Sequence, residues 1–138
     1  MKLMLKRSVD ELPVIVAATE RFFAESRIDQ SIRMPVDLSI EELFVNMVTY
    51  NLDTDHDVLL ELEPVANGVQ ASLTDYDVEP FDPSSHTPDV NVDASLDQRE
   101  PGGLGLYLVS KMVDSVHYEY RNRESRVTFV KTAGPSHD

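Results

Sequence analysis

The chain has 138 residues, no cysteine and a net charge of −13 at neutral pH, from 25 acidic against 12 basic residues. Its length fits one domain with its own core, and the lack of cysteine excludes disulfides and thiolate metal sites. The acidic balance argues against nucleic acid or an anionic membrane as a partner, because like charges repel. Solubility alone would also explain this charge.

The N-terminal residues predict a location for the protein. The first residues, MKLMLKRS, lack the apolar core of a signal peptide. No stretch approaches the ~20 apolar residues of a membrane span. We therefore expect a cytoplasmic protein consisting of a single domain over residues 1–138.

The first part of the chain predicts one strand and two helices. Residues 2–7 alternate between apolar and polar side chains and predict a short strand. Asp10 is a favoured type of N-cap, and apolar residues then recur at helical spacing as far as Ser26. A second helix is predicted from about Val36 to Asn51, with an apolar stripe along one face.

A hairpin and a long loop follow. Residues 57–65 and 69–76 predict strands joined by Asn67 and Gly68, a dipeptide typical of two-residue hairpin turns. Residues 83–100 are polar and include two prolines, and this composition predicts a loop. Loops of that length are usually functional or disordered. We expect this one to be poorly ordered in the absence of a ligand, since few apolar residues anchor it.

The remaining elements complete a fold prediction. A helix is predicted to follow the glycines and to end near Val113, and residues 116–121 and 125–131 predict a second hairpin around Asn122. Consecutive hairpins indicate a mixed, mostly antiparallel sheet, and three helices suffice to cover one face of it. The sequence therefore predicts an α+β fold, a two-layer sandwich. Its other sheet face would be partly open or covered in a dimer.

Three of the five glycines, Gly102, Gly103 and Gly105, precede an apolar run. Helix N-termini offer unpaired N–H groups and a positive dipole end, and both favour bound phosphate. Glycine lets the backbone approach that phosphate closely. A tight turn into a helix would give the same pattern, and no P-loop motif is present.

The second predicted helix carries Glu42 and Asn46, which share a face because they are four residues apart. An amide oxygen suits a magnesium ion that is bound to a nucleotide, and a carboxylate suits a general base. A purely structural role is also open: if the helix starts at Ser39, Ser39 and Glu42 form a capping box. Asn46 would then be a solvent-facing residue.

Two residues at strand positions are further candidates. Asp75 ends a strand, and a buried carboxylate there would accept a hydrogen bond from the exocyclic amine of adenine. Its alternative role is an Asx-type turn. Thr128 lies on the last strand, where β-branched residues usually serve packing.

Three segments in this order resemble one family. EELFVNMVTYN resembles the asparagine-bearing box of the histidine-kinase-like (GHKL, Bergerat-fold) ATPases, and LTDYDVEPFDP resembles their first glycine box. LDQREPGGLGLYLVSKMVDSVHYEYRNRESRVTFVK resembles their second glycine box and closing hairpin. Within that family the chain is most similar to the small anti-sigma-factor serine/threonine kinases, over about residues 1–132.

The resemblance implies a role for each candidate residue. Asn46 would ligate the magnesium ion of ATP, and Glu42 would be the general base for the attacking hydroxyl. Asp75 would hold the adenine amine, with Thr128 nearby through a shared water.

The same resemblance implies how the phosphates would be held. Residues 83–100 would be a mobile lid over the phosphates. Gly102, Gly103 and Gly105 would wrap the phosphates, and Arg99 would reach one of them.

Three departures from the family pattern stand out. Asp77 occupies the glycine position of the first glycine box, and its charge would lie close to the nucleotide. Tyr50 replaces a histidine that many relatives have. No lysine or second arginine stands near Arg99. These departures favour weak or lost nucleotide binding.

Two functions of different classes follow from the resemblance. The first is a kinase that regulates by partner switching and phosphorylates an antagonist protein. A sigma factor would be its second partner, and the sequence leaves open whether the protein forms a homodimer. The second is a catalytically inactive binding module that only sequesters a protein partner. A sensor-kinase domain is disfavoured, because the sequence shows no helix pair with a phosphoacceptor histidine.

Overall fold

The computed structural model describes residues 1–50, 54–78 and 101–134, with only the backbone at Tyr50 and at 101–106. Five strands form one sheet in the order β1-β2-β3-β5-β4, and every pairing among the described residues is antiparallel. The strands are β1 Lys2–Leu5, β2 Val58–Val65, β3 Gly68–Tyr76, β4 Ser115–Arg121 and β5 Glu124–Thr132.

Three helices pack on one face of the sheet, as the α+β prediction requires. They are α1 Leu12–Ser26, α2 Arg33–Tyr50 and α3 Pro101–Met112, and short 3₁₀ turns precede α1 and α2. None of the helices in the described ranges combines the length and apolar character needed to cross a membrane.

The strand register places the apolar side chains in rows beneath the helices. Leu60 lies opposite Leu73, which lies opposite Val127, and all three are buried. The helices complete this core with Phe22, Phe23, Val36, Ile40, Leu43, Phe44, Met47 and Val109. Each large apolar side chain contributes about 1.5–3 kcal/mol by burial, so the core fixes which face of the sheet the helices cover.

The face of the sheet turned away from this core is polar. Glu61 forms ion pairs with Lys2 at 3.7 Å and with Arg126 at 3.5 Å, and these pairs link β1, β2 and β5. Beside them the hydroxyls of Ser72 and Thr128 form a hydrogen bond of 2.9 Å. A polar face of this kind is typical of an antiparallel sheet whose other face packs on the core, although Ser72 is itself buried.

Both predicted hairpins are confirmed, but the first turn lies one residue earlier than predicted. Val65 pairs with Gly68, so Ala66 and Asn67 form the turn, with a φ of 63° at Asn67, and Gly68 is the first residue of β3. A Cβ atom on Gly68 would meet the carbonyl oxygen of Lys131 at 2.1 Å, so only glycine fits there. In the second hairpin Asn122 and Arg123 have φ of 54° and 65°. Two consecutive left-handed residues match the right-handed twist of the flanking strands.

Two helix boundaries differ from the predicted ones. Helix α2 begins at Arg33, three residues before Val36, because the preceding 3₁₀ turn is capped by Asp29 and leads directly into it. Pro35 lies in the first turn, where its missing N–H costs little. Helix α3 begins at Pro101, so the three glycines lie inside it rather than before it.

Candidate functional site

Helix α2 carries Glu42 and Asn46 one turn apart, and both side chains are half-buried. The helix begins at Arg33, so Ser39 is its seventh residue and is fully buried. A capping box at Ser39 is therefore the wrong explanation for Glu42, since an N-cap must lie at the helix start. The pair stands in the middle of a continuous helix with both side chains within reach of solvent.

Asp75 lies near the end of β3 and has no exposed surface. Both of its carboxylate oxygens accept hydrogen bonds from Arg7, at 2.5 Å from Nη1 and 3.2 Å from Nη2. The Arg7 side chain is itself only 11% exposed. The carboxylate that the sequence proposes for adenine is thus part of a buried, two-point ion pair.

Arg7 also connects Asp75 to two other segments. Its Nη2 donates to the carbonyl oxygen of Met47 at 2.9 Å, and its Nη1 donates to that of His56 at 3.1 Å. Met47 follows Asn46 on α2, so the guanidinium group joins the turn that carries Asn46 to the end of β3. Arg7 therefore connects Asp75 to the turn of α2 that carries Asn46.

Arg7 was not predicted as a site residue, although the sequence contains a signal for it. In the alternating stretch 2–7, Leu3, Leu5 and Arg7 share one side, and Leu5 is fully buried. A charged residue that continues an apolar face needs a partner of opposite charge. The partner comes from 68 residues further along the chain, which sequence spacing alone does not indicate.

Thr128 is not brought to Asp75. The register pairs Thr128 with Ser72 and pairs Asp75 with Ser125. Because side chains alternate along a strand, Thr128 points to the polar face and Ser125 to the face of Asp75. Ser125 is buried and is the hydroxyl residue that lies across from Asp75.

The three glycines lie at the start of α3, which packs against α2. Pro101 is the first residue and has no N–H, so Gly102 and Gly103 supply the first unpaired amides of the helix. Such amides suit a phosphate oxygen. Arg99 and the proposed lid at 83–100 lie outside the described residues.

Asp77, which replaces the family glycine, adopts the left-handed backbone that glycine would favour, with a φ of 59°. Its carboxylate accepts a hydrogen bond from Nε of Arg123 at 2.8 Å. That bond holds the pKa of Asp77 below its ordinary value. The negative charge of Asp77 is therefore paired with the turn of the second hairpin.

The hairpin also holds the residue that follows Asp77. The N–H of Val78 donates to the carbonyl oxygen of Arg123 at 3.0 Å. The Tyr120 hydroxyl donates to the carbonyl oxygen of Val78 at 2.9 Å. These bonds and the Asp77 pair fix the chain up to residue 78 at the edge of the candidate site.

The described residues offer one predicted magnesium ligand. Among them there is no group of three or more His, Asp or Glu side chains that could hold a metal ion. In nucleotide sites, water and substrate phosphates supply most of the ligands of Mg²⁺, and the protein supplies one or two. The half-exposed amide of Asn46 is compatible with that role.

Comparisons with known proteins give a family match. A family model for the histidine kinase-like ATPase domain matches residues 5–131. A search of curated protein sequences returned no match.

Two solved structures show the same fold at low identity. The RsbU and RsbW domains of Rv1364c from Mycobacterium tuberculosis give a TM-score of 0.68 at 15% identity, over 96% of this chain and 32% of that one. The Acinetobacter baumannii histidine kinase AdeS gives a TM-score of 0.54 at 12% identity, over 98% of this chain and 68% of that one. The chain therefore spans about a third of the Rv1364c chain that it matches.

Proposed function

Because the chain belongs to the histidine kinase-like ATPase domain family, we propose that it binds magnesium-ATP and transfers phosphate to a serine or threonine of a partner protein. One observation supports this proposal above the others. Glu42 and Asn46 stand one turn apart in the middle of α2, half-exposed, with no capping role to explain the glutamate.

Each residue has a chemical part in the proposed reaction. The side-chain oxygen of Asn46 would ligate magnesium, and the amides of Gly102 and Gly103, with Gly105 in the same turn, would face the phosphates. The ATP would supply the phosphoryl group. Glu42 would accept the proton of the attacking hydroxyl, because a neutral hydroxyl is a poor nucleophile.

The partner in this proposal is a protein antagonist of an anti-sigma factor, with a sigma factor as a second binding partner. The support is the resemblance of the sequence to the anti-sigma-factor kinases. The fold likeness to a chain whose title names RsbU and RsbW domains adds to it. The net charge of −13 suits partners with basic surfaces.

An inactive binding module is the second candidate function, and two observations favour it. Asp75 is engaged by Arg7, and Asp77 replaces a glycine of the family pattern. Against it, the Asp77 charge is paired with Arg123 instead of facing the site as an unpaired carboxylate. The two functions differ in phosphate transfer and not in fold.

Replacement of Glu42 by alanine tests the kinase proposal. We expect Glu42→Ala to keep magnesium-ATP binding and to lower transfer by ~10²–10⁴-fold, the usual contribution of a general base. The measurement is radiolabelled phosphate transfer to candidate antagonist proteins, with ATP binding followed by calorimetry at equal folded concentration.

Glu41 gives the matched control, because it is a half-buried glutamate at the neighbouring position of the same helix. Glu41→Ala should leave transfer near the wild-type rate. Equal transfer by wild type and Glu42→Ala would remove Glu42 from the mechanism. ATP binding without transfer by any variant would favour the binding module.

A further inference from the structure

We propose that Arg7 determines the base selectivity of the candidate nucleotide site, by occupying the carboxylate that would otherwise read the amino group of adenine. This inference rests on the proposed function. The observation behind it is the two-point contact between Arg7 and Asp75, with Arg7 11% exposed and Asp75 not exposed at all.

The chemistry of the bases makes the contact matter. Adenine presents an amino group at its six position, which donates and needs an acceptor. Hypoxanthine presents a carbonyl oxygen there, which needs a donor. An ionised carboxylate only accepts, whereas a guanidinium group only donates. With Arg7 in place, the charge of Asp75 is compensated, and each of its oxygens already accepts a hydrogen bond from a charged donor, which weakens it as an acceptor for a neutral amino group.

Arg7 is held too firmly for a base to displace it easily. Its two terminal nitrogens donate two hydrogen bonds to Asp75 and one each to the carbonyl oxygens of Met47 and His56. The amino group of adenine would offer Asp75 one hydrogen bond in exchange. Truncating one partner of a buried ion pair leaves an uncompensated charge, which is strongly unfavourable. The ion pair therefore persists, and the site reads the six position of the base weakly.

A consequence follows for nucleotide preference. A hydrogen bond to a charged acceptor typically discriminates by ~10–100-fold between a ligand that makes it and one that does not. ITP is the triphosphate whose base is hypoxanthine. We expect the wild-type protein to bind magnesium-ATP and magnesium-ITP with dissociation constants within about threefold of each other, well below that range. Removal of Arg7 should restore the discrimination.

The experiment compares dissociation constants for ATP and ITP, with magnesium, by isothermal titration calorimetry. Arg7→Gln should raise the preference for ATP by ~10-fold or more. Arg7→Gln combined with Asp75→Asn should lose that gain, because a neutral amide replaces the carboxylate. The control is Arg33→Gln, which breaks a different Arg–Asp ion pair. Arg33 contacts Asp37 at 2.9 Å within α2, so its loss should leave the preference for ATP unchanged.

Arg7→Lys keeps the experiment decisive if Arg7→Gln does not fold. Lysine retains the charge but not the planar fork, so it engages the carboxylate at a single point. The preference for ATP should then rise in the same direction by a smaller factor.

The outcomes separate the inference from the proposed function. A wild-type protein that already prefers ATP by ~10-fold, with no gain in either Arg7 variant, overturns the inference alone. Failure of wild type and all variants to bind either nucleotide overturns the proposed function and the inference together. Equal binding of ATP and ITP by wild type, with a gain in the Arg7 variants, supports both.

Discussion

Thr128 and Ser125 lie three residues apart on β5, yet they face opposite sides of the sheet. Thr128 shares a hydrogen bond of 2.9 Å with Ser72 on the polar face, away from Asp75. We therefore expect Thr128→Val to lower the free energy of unfolding by about 1 kcal/mol, the usual net value of such a bond. Its affinity for magnesium-ATP should stay unchanged.

Urea denaturation and calorimetry measure the two quantities for Thr128→Val. Ser72→Ala removes the same hydrogen bond from the other strand, and a double-mutant cycle isolates the coupling between the two residues. Loss of nucleotide affinity in Thr128→Val without loss of stability would return Thr128 to the site.

Residues of the candidate site were predictable to different degrees. Glu42 and Asn46 stood out because their spacing places them on one face of a helix, and Asp75 stood out because it lies at the end of a predicted strand. Thr128 was placed by resemblance, although the alternation of buried Val127 and Phe129 already sends its side chain to the other face. Arg7 escaped prediction because its partner is distant in sequence.

At the scale of elements, the second hairpin is attached to the turn after β3 through Arg123 and Asp77. The pKa of Asp77 is lowered chiefly by its hydrogen bond to Arg123, so the folded protein favours the ionised carboxylate. A lowered folded pKa contributes stability above the ordinary value of 3.8, and this contribution is lost as pH falls through the folded value.

We expect Arg123→Gln to lower the urea midpoint at pH 7, and the difference from wild type to shrink as pH falls below about 3.8. The effect should be small, because the pair is exposed and solvent screens it. Urea titrations from pH 7 to pH 3 measure it, with Arg121→Gln on the same hairpin as the control. A difference that grows on acidification would contradict the assignment.

The elements themselves were largely predictable from short-range patterns. Asn67 and Asn122 marked the two hairpin turns, although the first turn is Ala66-Asn67 and not Asn67-Gly68. Periodicity marked α1 and α2. Helix α3 was predicted to start after its glycines, since glycine weakens a helix. Glycine also adopts helical dihedral angles, and Pro101 at the first position favours a helix start there.

At the scale of the whole molecule, the two-layer architecture followed from the order of the elements, because consecutive hairpins leave few sheet arrangements. The strand order β1-β2-β3-β5-β4 did not follow from it. Local sequence does not indicate that β5 inserts between β3 and β4. That pairing depends on matching two apolar faces more than 40 residues apart, as in Leu73 opposite Val127.

The separation of Arg7 from Asp75 also has a kinetic consequence. Their contact spans 68 positions, so the entropy of closing that loop opposes it until β1, β2 and β3 have paired. The ion pair should therefore form after the rate-limiting step of folding. We expect the destabilisation in Arg7→Gln to appear as faster unfolding, with a φ-value of roughly 0–0.3.

Stopped-flow folding and unfolding in urea measure that φ-value. A folding rate that drops as much as the unfolding rate rises would show that the pair forms early. If it forms late, the buried contact that joins β1, α2 and the end of β3 is among the last parts of the molecule to assemble.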